Sequence, residues 1–206
     1  KSGNTRHFTN TTGYYPRFIK SAINFQPAVE FYNDEDVADA NNQKRRLETV
    51  GNFQMDPVKS YFVIWISRLE NESFSGSLKY APVFTLNTAS NGDNFGWTAG
   101  TGSTAQRLWH EIRGTSYTHS NEGNIYGIGV AMMPNDRATP QSQILNGLAS
   151  TSTMAGRTLT TGQTKSVIGG ASTGATNPYF YYGEIMEVIV LSKAAGSVLT
   201  ADELRK

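Results

Sequence analysis

Cysteine is absent from the chain, so neither a disulfide nor a thiolate metal site is open to it. The absence removes one sign of secretion without excluding secretion. Charge is sparse, at 17% of residues, and balanced: 18 Lys and Arg against 17 Asp and Glu leave a net +1. That balance gives no reason to expect nucleic acid or an anionic membrane surface as a partner. The basic run Lys44-Arg45-Arg46 precedes Leu47 and reads as an exposed strand edge. No apolar run is long enough to span a bilayer, and membrane insertion is not expected. The three histidines, His7, His110 and His119, stand at no metal-binding spacing. The sequence carries neither a Gly-x-Ser-x-Gly elbow nor a phosphate-cradling loop.

What is abundant is Gly, at 20 residues, with Ser, Thr and Asn beside it. That composition suits many short strands joined by polar turns. A chain of 206 residues is ordinary for one all-β sandwich and buries a substantial core without staples. The first residue is Lys1, and no signal-peptide pattern follows it. Near the other end Thr200-Ala-Asp-Glu203 is a capping box, opening a helix that Lys206 stops within a turn. The expectation is a single domain over 1–206, cut from a longer multidomain protein whose helix continues past Lys206.

The strongest strand signal is Gly183-Glu-Ile-Met-Glu-Val-Ile-Val-Leu191. Residues that fit a pleated surface dominate it, and both faces are apolar. Such a strand belongs in the middle of a layered β structure. Met186, Val188 and Val190 are expected in the interior, together with Phe62, Ile64 and Val130. Glu187 interrupts an apolar face, so either a bulge near Gly183 turns it outward or it is buried with partners. Ser60–Ser67 is a second strong strand, and Pro82–Leu86, Arg107–Ile112, Asn124–Met133 and Lys165–Gly170 are others. Leu47–Phe53 is a weaker one. Ile23–Phe31 has Phe25, Val29 and Phe31 as apolar positions, and Tyr14–Phe18 reads as extended chain around Pro16. Asn91-Gly92 and Asn146-Gly147 are turn signals.

Tyr181-x-Gly183-Glu184-Ile185-x-Glu187-Val188-Ile189-Val190 resembles the last core strand of laminin G-like, concanavalin A-like jelly rolls. The version it resembles most occurs in large surface proteins of Bacteroidetes-type bacteria. Asn24-Phe25-x-Pro27-x-Val29-x-Phe31 is similar to the opening of the same modules. The order of a Trp-bearing strand, Val83-Phe-Thr-Leu86, Leu145-Asn-Gly147 and Ile168-Gly-Gly170 follows their layout across most of the chain. The resemblance implies an all-β jelly-roll sandwich of two antiparallel sheets. It also implies a non-catalytic adhesion or glycan-binding module of a secreted or cell-surface protein. The partner would be a glycan or a surface protein of a host or neighbouring cell. The competing classes are a structural spacer or protein–protein interaction module, and a glycoside-active enzyme of the concanavalin A-like class.

The enzyme reading rests on Glu184 and Glu187, because related jelly-roll glucanases use acidic residues on one strand. Glycoside hydrolysis needs two carboxyls flanking one bond on one face. A spacing of three on a regular strand sends the two side chains to opposite faces. Ile185 and Met186 also stand where the glucanase pattern has a further acidic residue. A non-catalytic module is therefore expected.

Two kinds of binding residue stand out. Calcium takes oxygen ligands from loop Asp and Asn. Asn33–Asp36 and Asn91–Asn94 offer them through Asp34, Asp36, Asp93 and Asn94. Many laminin G-like domains hold calcium at the sandwich rim, and the resemblance carries that possibility here. The plain alternative is that such clusters are what turns are made of. Sugar rings stack on aromatic side chains. Trp97, Trp109, Tyr179 and Tyr181 lie near expected strand ends or loops and are the candidates, with core packing as their alternative.

Overall fold

The computed structural model of the chain describes residues 8–9, 15–22, 24–31, 46–49, 56, 59–69, 80–87, 93–99, 106–112, 115–118, 126–133, 142–151, 165–170, 181–194, 197 and 203. Fourteen strands lie among them. They are β1 (Phe8–Thr9), β2 (Arg17–Ile19), β3 (Ala28–Phe31), β4 (Leu47–Thr49), β5 (Lys59–Leu69), β6 (Tyr80–Asn87) and β7 (Asp93–Ala99). The rest are β8 (Gln106–Ile112), β9 (Thr115–Thr118), β10 (Tyr126–Met133), β11 (Ser142–Leu145), β12 (Leu148–Thr151), β13 (Lys165–Ile168) and β14 (Gly183–Ala194).

The strands form two seven-stranded sheets. The first runs β1-β4-β13-β6-β7-β8-β9 and the second β12-β11-β10-β5-β14-β3-β2. Each described pairing is antiparallel. The interior takes Phe84, Phe95, Trp97 and Leu108 from the first sheet and Val63, Trp65, Leu69 and Ile185 from the second. The chain is thus an all-β sandwich. Burying each such side chain contributes about 1.5–3 kcal/mol.

β14 is an interior strand of the second sheet, between β5 and β3, as its two-sided apolar pattern predicts. Its inner face carries Val188 and Val190, packed against the core. Its outer face carries Ile189 and Leu191, which are partly exposed. Two expectations are corrected here. Met186 does not join Val188 and Val190 in the interior; it is the extra residue where the pairing with β5 slips between Ile185 and Glu187. Phe62, Ile64 and Val130 are not in that interior either. Tyr61, Val63 and Trp65 face inward from β5, so alternation turns Phe62 and Ile64 to the other side. There Phe62, Val130 and Met132 are buried, with Ile64 and Ile144 packed against them.

Polar bonds cross the interior from sheet to sheet. The Trp97 indole N–H donates to Ser67 Oγ at 3.0 Å, and Gln143 Nε2 meets His110 Nδ1 at 2.9 Å. Asn146-Gly147 makes the predicted turn between β11 and β12, with φ of 48° and 86°. The turn is fastened to β10: the Asn146 backbone N–H donates to the Ile128 carbonyl, and its side-chain oxygen accepts from the Ile128 N–H.

On the first sheet, the buried Glu48 carboxylate accepts from Arg46 Nε and Lys165 Nζ, both at 2.7 Å. Burial pushes its pKa up. The hydrogen bonds and charges of Lys165 and Arg46 outweigh burial, so the group titrates below its ordinary 4.5. A carboxyl whose folded pKa is depressed contributes stability above its unfolded pKa and loses it as pH falls through the folded one.

Two outcomes are expected. Gly129 on β10 leaves no room for a β-carbon, which would strike the Trp65 ring and come within 2.6 Å of Leu108 Cδ1. Urea unfolding of Gly129→Ala should show a loss of about 1–3 kcal/mol. Glu48→Gln should be less stable than the wild type at pH 7, and that difference should shrink below the ordinary 4.5. A difference that is constant from pH 7 to pH 3 would remove the ion pairs as its cause.

Candidate functional site

Three of the four aromatic residues expected to meet a sugar are inside the protein. Trp97 faces the interior from β7 and spends its N–H on Ser67. Trp109 lies opposite Gly96 in the pairing of β7 with β8 and is fully buried. Tyr181 is fully buried edge-on against Phe31, with ring centroids 6.3 Å apart. None of these three offers a ring face to a ligand at the surface. Tyr179 lies outside the described residues.

The four expected calcium ligands do not meet as a set among the described residues. Asp34 and Asp36 lie outside them. Asp93 and Asn94 are consecutive on β7 and both buried. Asp93 shares the inward parity of Phe95 and Trp97, and Asn94 points the other way, accepting from Thr85 Oγ1 at 3.0 Å. Two side chains on opposite faces of a strand do not converge on one ion. Among the described residues, no group of three or more His, Asp or Glu is placed to hold a metal.

The acidic residues of β14 depart from expectation. On the regular alternation Glu184 and Glu187 would face opposite ways. The slip at Met186 adds one residue, so Glu184 stands opposite Arg68 and Glu187 opposite Ile66. Arg68 and Ile66 have the same parity on β5, and both glutamates therefore face outward. Their strand positions are about 7 Å apart. Of the two alternatives for Glu187, the bulge is realised, and Glu187 is exposed.

Glu184 belongs to a charged row that crosses four strands of the outer face. Arg68 on β5, Glu184 on β14, Glu30 on β3 and Arg17 on β2 stand in register. Arg68 Nη2 lies 2.6 Å from Glu184 Oε1. Arg17 grips Glu30 with both Nε and Nη2, at 2.7 and 2.9 Å. Two neighbouring carboxylates repel, and an arginine at each end offsets that repulsion. Beyond this row the outer face turns apolar. Ile128 and Ile66 come first, with the exposed Glu187 beside Ile66, then Ile144, Val130, Ile64 and Ile189, then Met132, Phe62 and Leu191. Phe62, Val130 and Met132 are buried, whereas Ile128, Ile189 and Leu191 are 50%, 37% and 41% exposed.

Sequence reading missed this face because it assigned Ile64 and Val130 to the interior and divided the glutamates between two faces. One signal was available. A short apolar residue pair between two glutamates, on a strand otherwise apolar on both sides, needs an extra residue if both side chains are to share one face.

Arg68→Met should destabilise the fold by about 3 kcal/mol, because it leaves the Glu184 carboxylate buried beside Glu30. Arg68→Met combined with Glu184→Gln should recover much of that loss. Equal losses in the single and double variants, measured by urea unfolding, would show that the pair is not coupled.

Models of known protein families were compared with the chain and none matches. No curated protein is significantly similar to it either.

Proposed function

We propose that the chain is a non-catalytic adhesion module of the laminin G-like, concanavalin A-like kind, borne by a secreted or cell-surface protein. It holds a partner protein against the outer face of its second sheet. The observation that carries this reading is the apolar field on β10, β5 and β14, where Ile128, Ile189 and Leu191 are exposed beside the half-buried Ile64 and Ile66. Contiguous exposed apolar surface marks interaction sites. The charged row of Arg68, Glu184, Glu30 and Arg17 borders the field on one side, as a polar rim borders an interface core. Protein contact is better supported than sugar stacking, because Trp97, Trp109 and Tyr181 are spent in packing.

The shared outward face of Glu184 and Glu187 favours one second reading, a glycoside-active enzyme. Their strand spacing falls in the range of about 5–10 Å that carboxyl pairs use. Against it, Glu184 is buried and bound to Arg68.

The test is adhesion of domain-coated beads to immobilised cell-surface and matrix proteins, with a glycan array run with and without calcium. Ile128→Lys and Ile189→Lys should leave the melting temperature nearly unchanged, since both sites are exposed. Each should weaken protein binding at least tenfold. Calcium-dependent glycan binding that both variants retain would replace this reading with a lectin. Hydrolysis of a β-glucan panel that Glu187→Gln abolishes would replace it with the enzyme.

A further inference from the structure

The apolar field on the outer face of the second sheet is not open evenly, and its open part has a shape. Its rows run across the strands: Ile128 with Ile66, then Val130, Ile64 and Ile189, then Met132, Phe62 and Leu191. Phe62, Val130 and Met132 are buried. What stays open is Ile128 on β10, Ile66 and Ile64 on β5, and Ile189 and Leu191 on β14. These five step from strand to strand as they step from row to row, so they form a diagonal stripe. Neighbouring strands lie about 4.8 Å apart and each residue rises about 3.4 Å, which makes the stripe roughly 17 Å long and about 10 Å wide.

The two sides of the stripe differ. The buried Phe62, Val130 and Met132 close one of them. On the other, Glu187 stands opposite Ile66 and two residues before Ile189. Glu187 is exposed and makes no ion pair among the described residues. The next carboxylate along β14, Glu184, is already matched by Arg68. The stripe therefore offers aliphatic carbon flanked by one unmatched negative charge.

That chemistry selects an occupant. β10 pairs with β11 and β5, and β5 with β10 and β14, so the backbone groups beneath the stripe are committed to ladders. An extended segment laid here would press its own unbonded N–H and C=O groups against aliphatic carbon, which is costly. A sugar would find no ring to stack on. A helix bonds its own backbone, is about 10 Å across, and covers roughly 17 Å with about eleven residues, or three turns. Its apolar side chains at i, i+4 and i+7 follow one line, as the stripe does. A second folded copy needs about 800 Å² on each side for a stable contact, well beyond the stripe.

We propose that the stripe from Ile128 to Leu191 seats a single amphipathic helix of the partner protein, with a Lys or Arg beside its apolar line to meet Glu187. This seat presupposes that the outer face is where the partner binds, and it names the part of the partner that fills it.

The whole chain is titrated against three fluorescein-labelled peptides about 18 residues long, enough for three turns and frayed ends. The first has Leu at i, i+4, i+7 and i+11 with Lys on both flanks of that line. The second has Glu in place of each Lys. The third is a scramble of the first with Leu distributed all round the helix. By anisotropy the first should bind the wild type at least tenfold more tightly than the other two. Ile189→Lys should weaken it at least tenfold. Glu187→Lys, at an exposed position, should invert the order of the first two peptides. A first peptide that binds no better than its scramble overturns the proposal, as does an order that Glu187→Lys leaves unchanged. If cell-surface or matrix proteins bind the wild type and not Ile128→Lys, while the first peptide binds neither, the helix is wrong and the outer-face reading stands. If those proteins and the peptide all fail to bind the wild type, both are wrong. Sedimentation of the chain with phosphatidylcholine vesicles, lost in Ile189→Lys, overturns the helix in favour of a lipid surface. A wild-type dimer that Ile189→Lys dissolves overturns it in favour of a second copy.

Discussion

The pairing of β14 with β5 fixes what each face of the second sheet is for. Side chains on a strand alternate with a period of two, so one inserted residue exchanges the two faces of everything beyond it. β14 uses that rule at Met186, as β6 does at Val83 in its pairing with β7. On one side of the bulge Ile185 points inward opposite Ser67; on the other Val188 points inward opposite Trp65. Without the extra residue, Val188 and Val190 would leave the core, and Ile189 and Leu191 would enter it. The bulge thus reconciles two demands on one strand: outward carboxylates at Glu184 and Glu187, and an inward valine pair further along.

The same economy explains why Trp65 and Trp97 are not at the surface. The two glycines of β10 that face inward, Gly127 and Gly129, leave space filled by the rings of Trp97 and Trp65. Large rings against bare backbone let the sheets approach closely, and the Trp97–Ser67 bond satisfies a polar group that burial would otherwise strand. Glycines that look like softeners of a strand are therefore the sockets of the core. Gly169 plays the same part beside Phe31, whose ring occupies the place of a β-carbon.

The fold class was legible from composition and alternation alone, because period-two patterns at β5, β6, β10 and β14 outrun any helical reading. The turn at Asn146-Gly147 was legible from two residues. What escaped was anything that depends on parity. Phe62 and Val130 look as apolar as Val63 and Ala131, and only the partner strand decides which set faces in. Short strands also escaped: β12 is four residues that end in Ser150-Thr151, and β9 has polar residues at each of its four positions except Tyr117. The candidate site was mostly illegible for a related reason. An aromatic near a strand end carries no mark of its direction, so Trp97 and Phe25 read alike in sequence, although one is fully buried and the other almost bare.

The place of β14 has a consequence for how the molecule comes into being. It is the last described strand, yet it fills the gap between β5 and β3, and 116 residues separate Arg68 from its partner Glu184. A ribosome adding about 5–20 residues per second takes roughly ten seconds to cover that distance. During that interval the edges of β5 and β3 that β14 will join have no partner strand between them. Folding of this sheet is therefore a closing event rather than a growing one. Its nascent form carries the adhesive edges that the finished sandwich has hidden, and a chaperone or a confined exit path is what such a topology calls for.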